Sequence, residues 1–173
     1  MNTFALEIFD DEGKKCTFYT VRWDDSELSE TDKFLEKYGD DDNFKHYIED
    51  LLSLILVQLA NRGALDKFKF RFENSAEALP PNQKTTVIRL EIKYPNSPLR
   101  LYCLRWSESL VVLFGGGKKT SRSAQEGETS EAFRNANLFT KRILEAIREG
   151  EIYVSSNGRK FQNSHNDDDE ILL

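Results

Sequence analysis

The chain has 173 residues, of which 39% are hydrophobic, and Phe is its commonest aromatic. That length suits one domain, and that apolar content excludes wholesale disorder. A formal charge of −6 argues against a uniformly basic nucleic-acid binder, and Cys16 and Cys103 alone make neither a disulfide framework nor a zinc site. The opening MNTFALEIFDDEG has no basic start followed by an apolar run. The apolar stretch over residues 51–60 is too short to span a bilayer, so a cytoplasmic chain without a membrane partner is expected.

Residues 4–9 and 16–23 are rich in aromatic and β-branched side chains and are separated by Asp10, Asp11, Glu12 and Gly13, which predicts an amino-terminal β-hairpin. Ser29-Glu30-Thr31-Asp32 starts a short helix carrying Phe34, Leu35 and Tyr38 and stopped at Gly39. The clearest helix follows, because Phe44, Tyr47, Ile48, Leu51, Leu52, Ile55 and Leu59 recur at three- and four-residue steps, with Leu56 widening the stripe. Asp42 or Asn43 is placed to cap it and Gly63 to end it. Residues 67–73 alternate Phe with charge, a one-sided strand.

After the Pro80-Pro81 break, residues 85–94, 99–106 and 110–114 read as three strands joined by two turns, an antiparallel meander. A second helix is expected over residues 131–149, capped by Ser130 or Thr129 and ended at Gly150. Its buried stripe is Ala132, Ala136, Phe139, Ile143, Ala146 and Ile147. Asn157-Gly158 marks a two-residue hairpin turn. The expectation is an α+β fold over residues 1–163, with an antiparallel sheet packed against two main helices, and an acidic, disordered tail over residues 164–173.

Charge is unevenly distributed. Residues 84–122 hold Lys84, Arg89, Lys93, Arg100, Arg105, Lys118, Lys119 and Arg122 against Glu91 and Glu108, a local balance of +6. Gly115-Gly116-Gly117-Lys118-Lys119-Thr120 fails as a P-loop. With Lys118 as the motif lysine the next residue is Lys119 rather than Ser or Thr, and the leading glycine position holds Val112. What survives is a glycine loop after a buried strand, where Gly116 and Gly117 let the backbone approach a ligand and the following cations suit a phosphodiester. HExxH, Gly-x-Ser-x-Gly and calcium-loop spacings are missing from the sequence, and no metal or cofactor is implied.

The run Leu99-Arg100-Leu101-Tyr102-Cys103-Leu104-Arg105-Trp106, a turn, the apolar residues 110–114, then Gly-Gly-Gly-Lys-Lys-Thr and a helix resembles the carboxy-terminal half of RelE/HigB-like toxins, small bacterial ribonucleases of toxin–antitoxin pairs. The likeness covers residues 90–147; the chain is longer and more acidic than that family. It implies metal-independent cleavage of RNA, in which a 2′-hydroxyl attacks the adjacent phosphate while cations stabilise the developing charge. It further implies Arg105, Lys118, Lys119 and Arg122 as catalytic cations, and Arg100, Tyr102, Gly116 and Gly117 as RNA-binding residues. The partners it implies are RNA or the ribosome and a small helix-turn-helix antitoxin. Strand alternation already places Arg105 on the face opposite Arg100 and Tyr102 unless a bulge intervenes. The alternative is a non-catalytic module on the same scaffold that binds a protein partner.

Overall fold

A computed structural model describes residues 3–64, 71–73, 76–79, 85–87, 90–92, 97–119, 129–164 and 170–173. Strands β1 (Phe4–Asp10) and β2 (Thr17–Trp23) form the expected hairpin, pairing antiparallel from Phe4 opposite Trp23 to Ile8 opposite Tyr19. Helix α1 (Glu30–Gly39) starts where the capping residue predicts: Ser29 Oγ accepts from the Asp32 N–H at 3.0 Å, supplying one of the bonds the first turn lacks.

Helix α2 (Lys45–Ser53) enters differently from expectation. Asp41, rather than Asp42 or Asn43, organises the turn: its carbonyl accepts from Phe44 and Lys45, and its carboxylate accepts from the Asn43 N–H. The helix then continues through a π-helical stretch, Leu54–Leu59, into a last turn, α3 (Ala60–Arg62). The wider π turn rotates the buried face. Leu54 and Gln58 turn inward, while Leu56, expected on the stripe, is exposed. Gly63, at φ 93°, ends the helix in a region that side-chain-bearing residues avoid.

Short strands β3 (Arg71–Glu73) and β4 (Ala76–Leu79) pair with each other. The single strand expected over 85–94 is instead two paired strands, β5 (Thr85–Val87) and β6 (Leu90–Ile92), with Thr85 opposite Ile92. Long strands β7 (Leu99–Ser107) and β8 (Leu110–Lys118) form the centre, and helix α4 (Ser130–Arg148) follows, with Thr129 at the N-cap position. Strands β9 (Ile152–Val154) and β10 (Phe161–Asn163) flank a loop longer than the two-residue turn expected. In it, Ser155 N–H donates to the Lys160 carbonyl and Asn157 Oδ1 accepts from the Arg159 N–H. Strand β11 (Ile171–Leu172) pairs with β1, and Phe4 and Leu173 exchange backbone hydrogen bonds at 2.9 and 3.0 Å. The segment expected as a disordered tail thus ends inside the domain, with Ile171 and Leu173 in the core.

The fold is α+β, as expected, but the main sheet is mixed. Its order is β11-β1-β2-β8-β7-β4-β3, and β8 runs parallel to β2 while antiparallel to β7. The physical reason lies in β8 itself. Residues 110–114 are apolar on both faces, so the strand belongs at the centre, with neighbours on both edges and helices on both sides. Leu110, Val112 and Phe114 meet Phe133, Phe139 and Ile143 of α4. Val111 and Leu113 meet Phe34 and Tyr38 of α1 together with Leu51, Ile55 and Leu59. Each such buried side chain contributes about 1.5–3 kcal/mol. Among the described residues no helix is long and apolar enough to cross a membrane.

Candidate functional site

Along β7, Leu99, Leu101 and Cys103 enter the α1–α2 core, whereas Tyr102 and Leu104 enter the α4 core. Arg100 is buried, and its Nη1 donates to the carbonyls of Ser97 at 2.8 Å and Leu99 at 2.7 Å. Tyr102 is wholly buried, edge-on to Phe133 with ring centroids 5.9 Å apart. Arg105 is half-buried and donates from Nε to the Ala64 carbonyl. It also lies at the far end of the β7–β8 hairpin. Register sets Arg105 opposite Val111 and Leu99 opposite Lys118, which separates the two cations by about 20 Å along the strands.

The segment expected as a glycine loop is the final stretch of β8. Gly116 pairs with Leu101 and Gly117 with Arg100, just beyond a register shift that leaves an extra residue on β8 between Leu113 and Gly116. A Cβ on Gly116 would collide with the Arg100 carbonyl oxygen, so glycine here permits the close approach of β7. Lys118 and Lys119 follow at the strand's end. The Lys118 N–H donates to Tyr38 Oη at 3.0 Å, its Nζ sits 5.6 Å from the centre of the Phe44 ring, and the Lys119 N–H donates to the Pro98 carbonyl at 2.7 Å. Arg122 lies outside the described residues, as do Lys84, Arg89 and Lys93.

A cleft of about 440 Å³ opens beside this strand end. Its floor is Gly115 and Gly116; one wall is Glu30, Lys33, Lys37 and Tyr38 of α1, and the other is Glu131 and Asn135 of α4. Helical spacing puts the α1 residues on one face. That face is held to the sheet by Thr31 Oγ1, which donates to the Phe114 carbonyl at 2.9 Å and lies 2.7 Å from Thr20 Oγ1. Lys33 Nζ pairs with Glu30 Oε1 at 2.7 Å, and Lys37 Nζ lies 5.2 Å from the centre of the Tyr38 ring. Tyr38 therefore links the two sources of charge: Lys37 sits over its ring, and the Lys118 backbone binds its hydroxyl.

Lys33, Lys37, Glu30 and Glu131 were not singled out by sequence reasoning. Their signal was the three- and four-residue spacing of Glu30, Lys33 and Lys37 within a short helix in an acidic segment, and nothing local pairs that face with the glycines of β8.

Chemically, the cleft offers cations beside carboxylates over an open backbone floor. Thiol chemistry lies elsewhere in the fold and is suppressed: Cys16 and Cys103 are buried and free, and burial pushes the Cys16 thiol up to about 12. Among the described residues, no group of three or more His, Cys, Asp or Glu is placed to hold a metal ion. Comparison with protein-family models, with curated proteins and with solved structures found no match.

Proposed function

We propose that the chain is a RelE/HigB-like toxin that binds RNA through the cleft between α1, the glycine end of β8 and α4, and cleaves it there. One observation carries this reading: Lys33 and Lys37 line the same hollow as Gly115 and Gly116, while Lys118 is tied through Tyr38 to its wall. Lysines around a backbone floor suit a phosphodiester, whose charge they neutralise at short range. In this reading Lys33 and Lys37 take the catalytic-cation role that the family resemblance gives to Lys118 and Lys119, which contact the RNA backbone beside the cleft. Arg100 and Tyr102 instead hold the strand that presents them.

The carboxylate of Glu131, exposed at the mouth of the cleft, takes the proton of a ribose 2′-hydroxyl. The freed oxygen attacks the adjacent phosphorus, the bond from phosphorus to the leaving 5′-oxygen breaks, and that oxygen takes its proton from water. A cyclic phosphate remains on one product. Lys33 and Lys37 stabilise the charge that builds on the phosphoryl oxygens.

The test is to incubate the purified chain with single-stranded RNA in the presence of a chelator, and to express it in bacteria without any partner. Cleavage yielding cyclic-phosphate ends, with growth arrest relieved by a Lys33→Ala/Lys37→Ala double variant, is the expected result. Intact RNA together with harmless expression of the folded chain would sink the proposal. That outcome would favour the non-catalytic binding module, a reading supported by the burial of the strand arginine nearest the lysines.

A further inference from the structure

We infer that the cleft reads a guanine base through the carboxylate of Glu30, which stands over Gly115. The inference rests on the reading of that cleft as an RNA site and adds to it which base is held there. Glu30 belongs to the first turn of α1, where a carboxylate also favours the helix end. Lys33 Nζ binds its Oε1 at 2.7 Å, and the Glu30 side chain is only 15% exposed. Its Oε2 turns toward the floor instead, 3.5 Å from the place a Cβ on Gly115 would occupy. That oxygen has no partner among the described residues and is open to the cleft.

The path of the chain does not require glycine at position 115. The nearest atoms to a Cβ there would be those of Glu30, at ordinary contact distances of 3.5 to 3.7 Å, whereas a Cβ on Gly116 would strike the Arg100 carbonyl. Glycine at 115 leaves Oε2 uncovered on its floor side, where alanine would set a methyl against it. Trp23 lines the same cleft and is half-buried. Its ring is held by Phe139 and Phe4, with centroids 4.7 and 6.1 Å away, and so gives a base a rigid surface to stack on.

Hydrogen bonding chooses the base. A carboxylate only accepts, its two oxygens lie side by side, and Oε1 keeps a second lone pair beside Lys33. Among the four bases, guanine presents two adjacent donors on one edge, N1–H and the N2 amino group. Adenine and cytosine set an amino group beside a ring-nitrogen acceptor, which would face the second oxygen. Uracil sets one N–H between two carbonyls. A wrong base therefore leaves an acceptor opposite the carboxylate, which costs more than the missing bond. In a cleft for a polyanion a carboxylate opposes binding unless donors meet it, and the guanine edge supplies them. Lys33 orients that carboxylate and is also one of the cations assigned to the phosphate, so one lysine ties the base reader to the reacting group.

The experiment measures binding of the 3′-monophosphates of guanosine, adenosine, cytidine, uridine and inosine to the full chain by isothermal titration calorimetry. The guanosine nucleotide should bind at least about tenfold more tightly than those of adenosine, cytidine and uridine. Inosine, which lacks the N2 amino group, should bind about fivefold more weakly than guanosine. Glu30→Gln should bind all of them alike. Gly115→Ala should unfold in urea as the wild type does, yet bind guanosine several-fold more weakly, because its methyl would cover Oε2. The proposal is overturned if none of the nucleotides binds, if another base is preferred, if inosine matches guanosine, or if either folded variant keeps the full preference. The inosine comparison needs no variant, so it decides even where a substitution unfolds the chain. None of these readouts involves cleavage. Guanosine binding beside intact RNA would retain the base reading and remove the nuclease, and cleavage indifferent to guanine would do the reverse.

Discussion

The two strands of the central hairpin put their cations to different uses, even where Arg100 and Lys118 lie at the same end. On β7, Arg100 and Arg105 turn to backbone carbonyls: Arg100 to Ser97 and Leu99, Arg105 to Ala64. On β8, Lys118 and Lys119 are hydrogen-bonded into the fold through their backbone N–H groups, and their side chains are half-buried at the strand end, that of Lys118 near the Phe44 ring. The guanidinium group explains part of the difference. It carries several donors in a fixed fork and tolerates partial burial when carbonyls receive them, whereas an ammonium group is strongly hydrated. A cation in a basic stretch can therefore be a structural tie or a ligand contact, and partnering decides which.

The comparison is broken most directly by changes to what β7 buries. Tyr102→Ala should destabilise the chain by about 3–5 kcal/mol, because the ring fills space against Phe133 that the neighbours cannot close. Urea unfolding of the variant checks this, and a loss within error would mean that the α4 core repacks. Gly116→Val should follow closely, costing about 3 kcal/mol or preventing folding, since the Arg100 carbonyl occupies the place of the new side chain.

Arg100 and Lys118 sharpen the contrast directly. Arg100→Met should cost about 1–3 kcal/mol of stability by removing donors from buried carbonyls, while leaving the salt dependence of RNA binding unchanged. Lys118→Ala should do the reverse: stability within about 0.5 kcal/mol of wild type, and a slope of log affinity against log salt lower by about one phosphate contact. Filter binding across a salt series separates the two. Equal effects from both variants would erase the distinction.

The last contrast concerns pH. Burial raises the Cys16 thiol from its ordinary value of 9.0 to about 12, so above 9.0 the unfolded chain gives up a proton that the folded chain keeps. Stability contributed by this group is complete below 9.0 and falls as pH rises toward about 12. Unfolding midpoints of wild type and Cys16→Ala, compared from neutral to alkaline pH, should converge as pH rises. The native thiol should also resist a thiol-reactive dye near neutral pH until denaturant is added.

Much of the architecture was legible locally. Ser29 as a cap, Phe34 and Tyr38 on the inner face of α1, the Phe139–Ile143–Ala146 stripe of α4 and the apolar β8 all follow from spacing, because helix and strand periods reveal which side chains share a face. Local signals misplaced the details that depend on a neighbour. The π turn exchanged Leu54 for Leu56 on the buried face, and the pairing of β11 with β1 drew in residues whose acidic context read as a tail.

By itself, then, the sequence determined the α+β class, the main helices and their buried faces, the first hairpin and the cationic bias of residues 84–122. Tertiary structure alone decided that β8 lies between β7 and a parallel β2, that Arg100 and Tyr102 are interior, and that Lys33 and Lys37 of α1 face the glycines of β8. The reason is physical. Period and propensity act over a few residues, whereas strand order, burial of a charge and convergence of lysines on a cleft are set by contacts between segments some eighty residues apart, such as Thr31 with Phe114 and Tyr38 with Lys118.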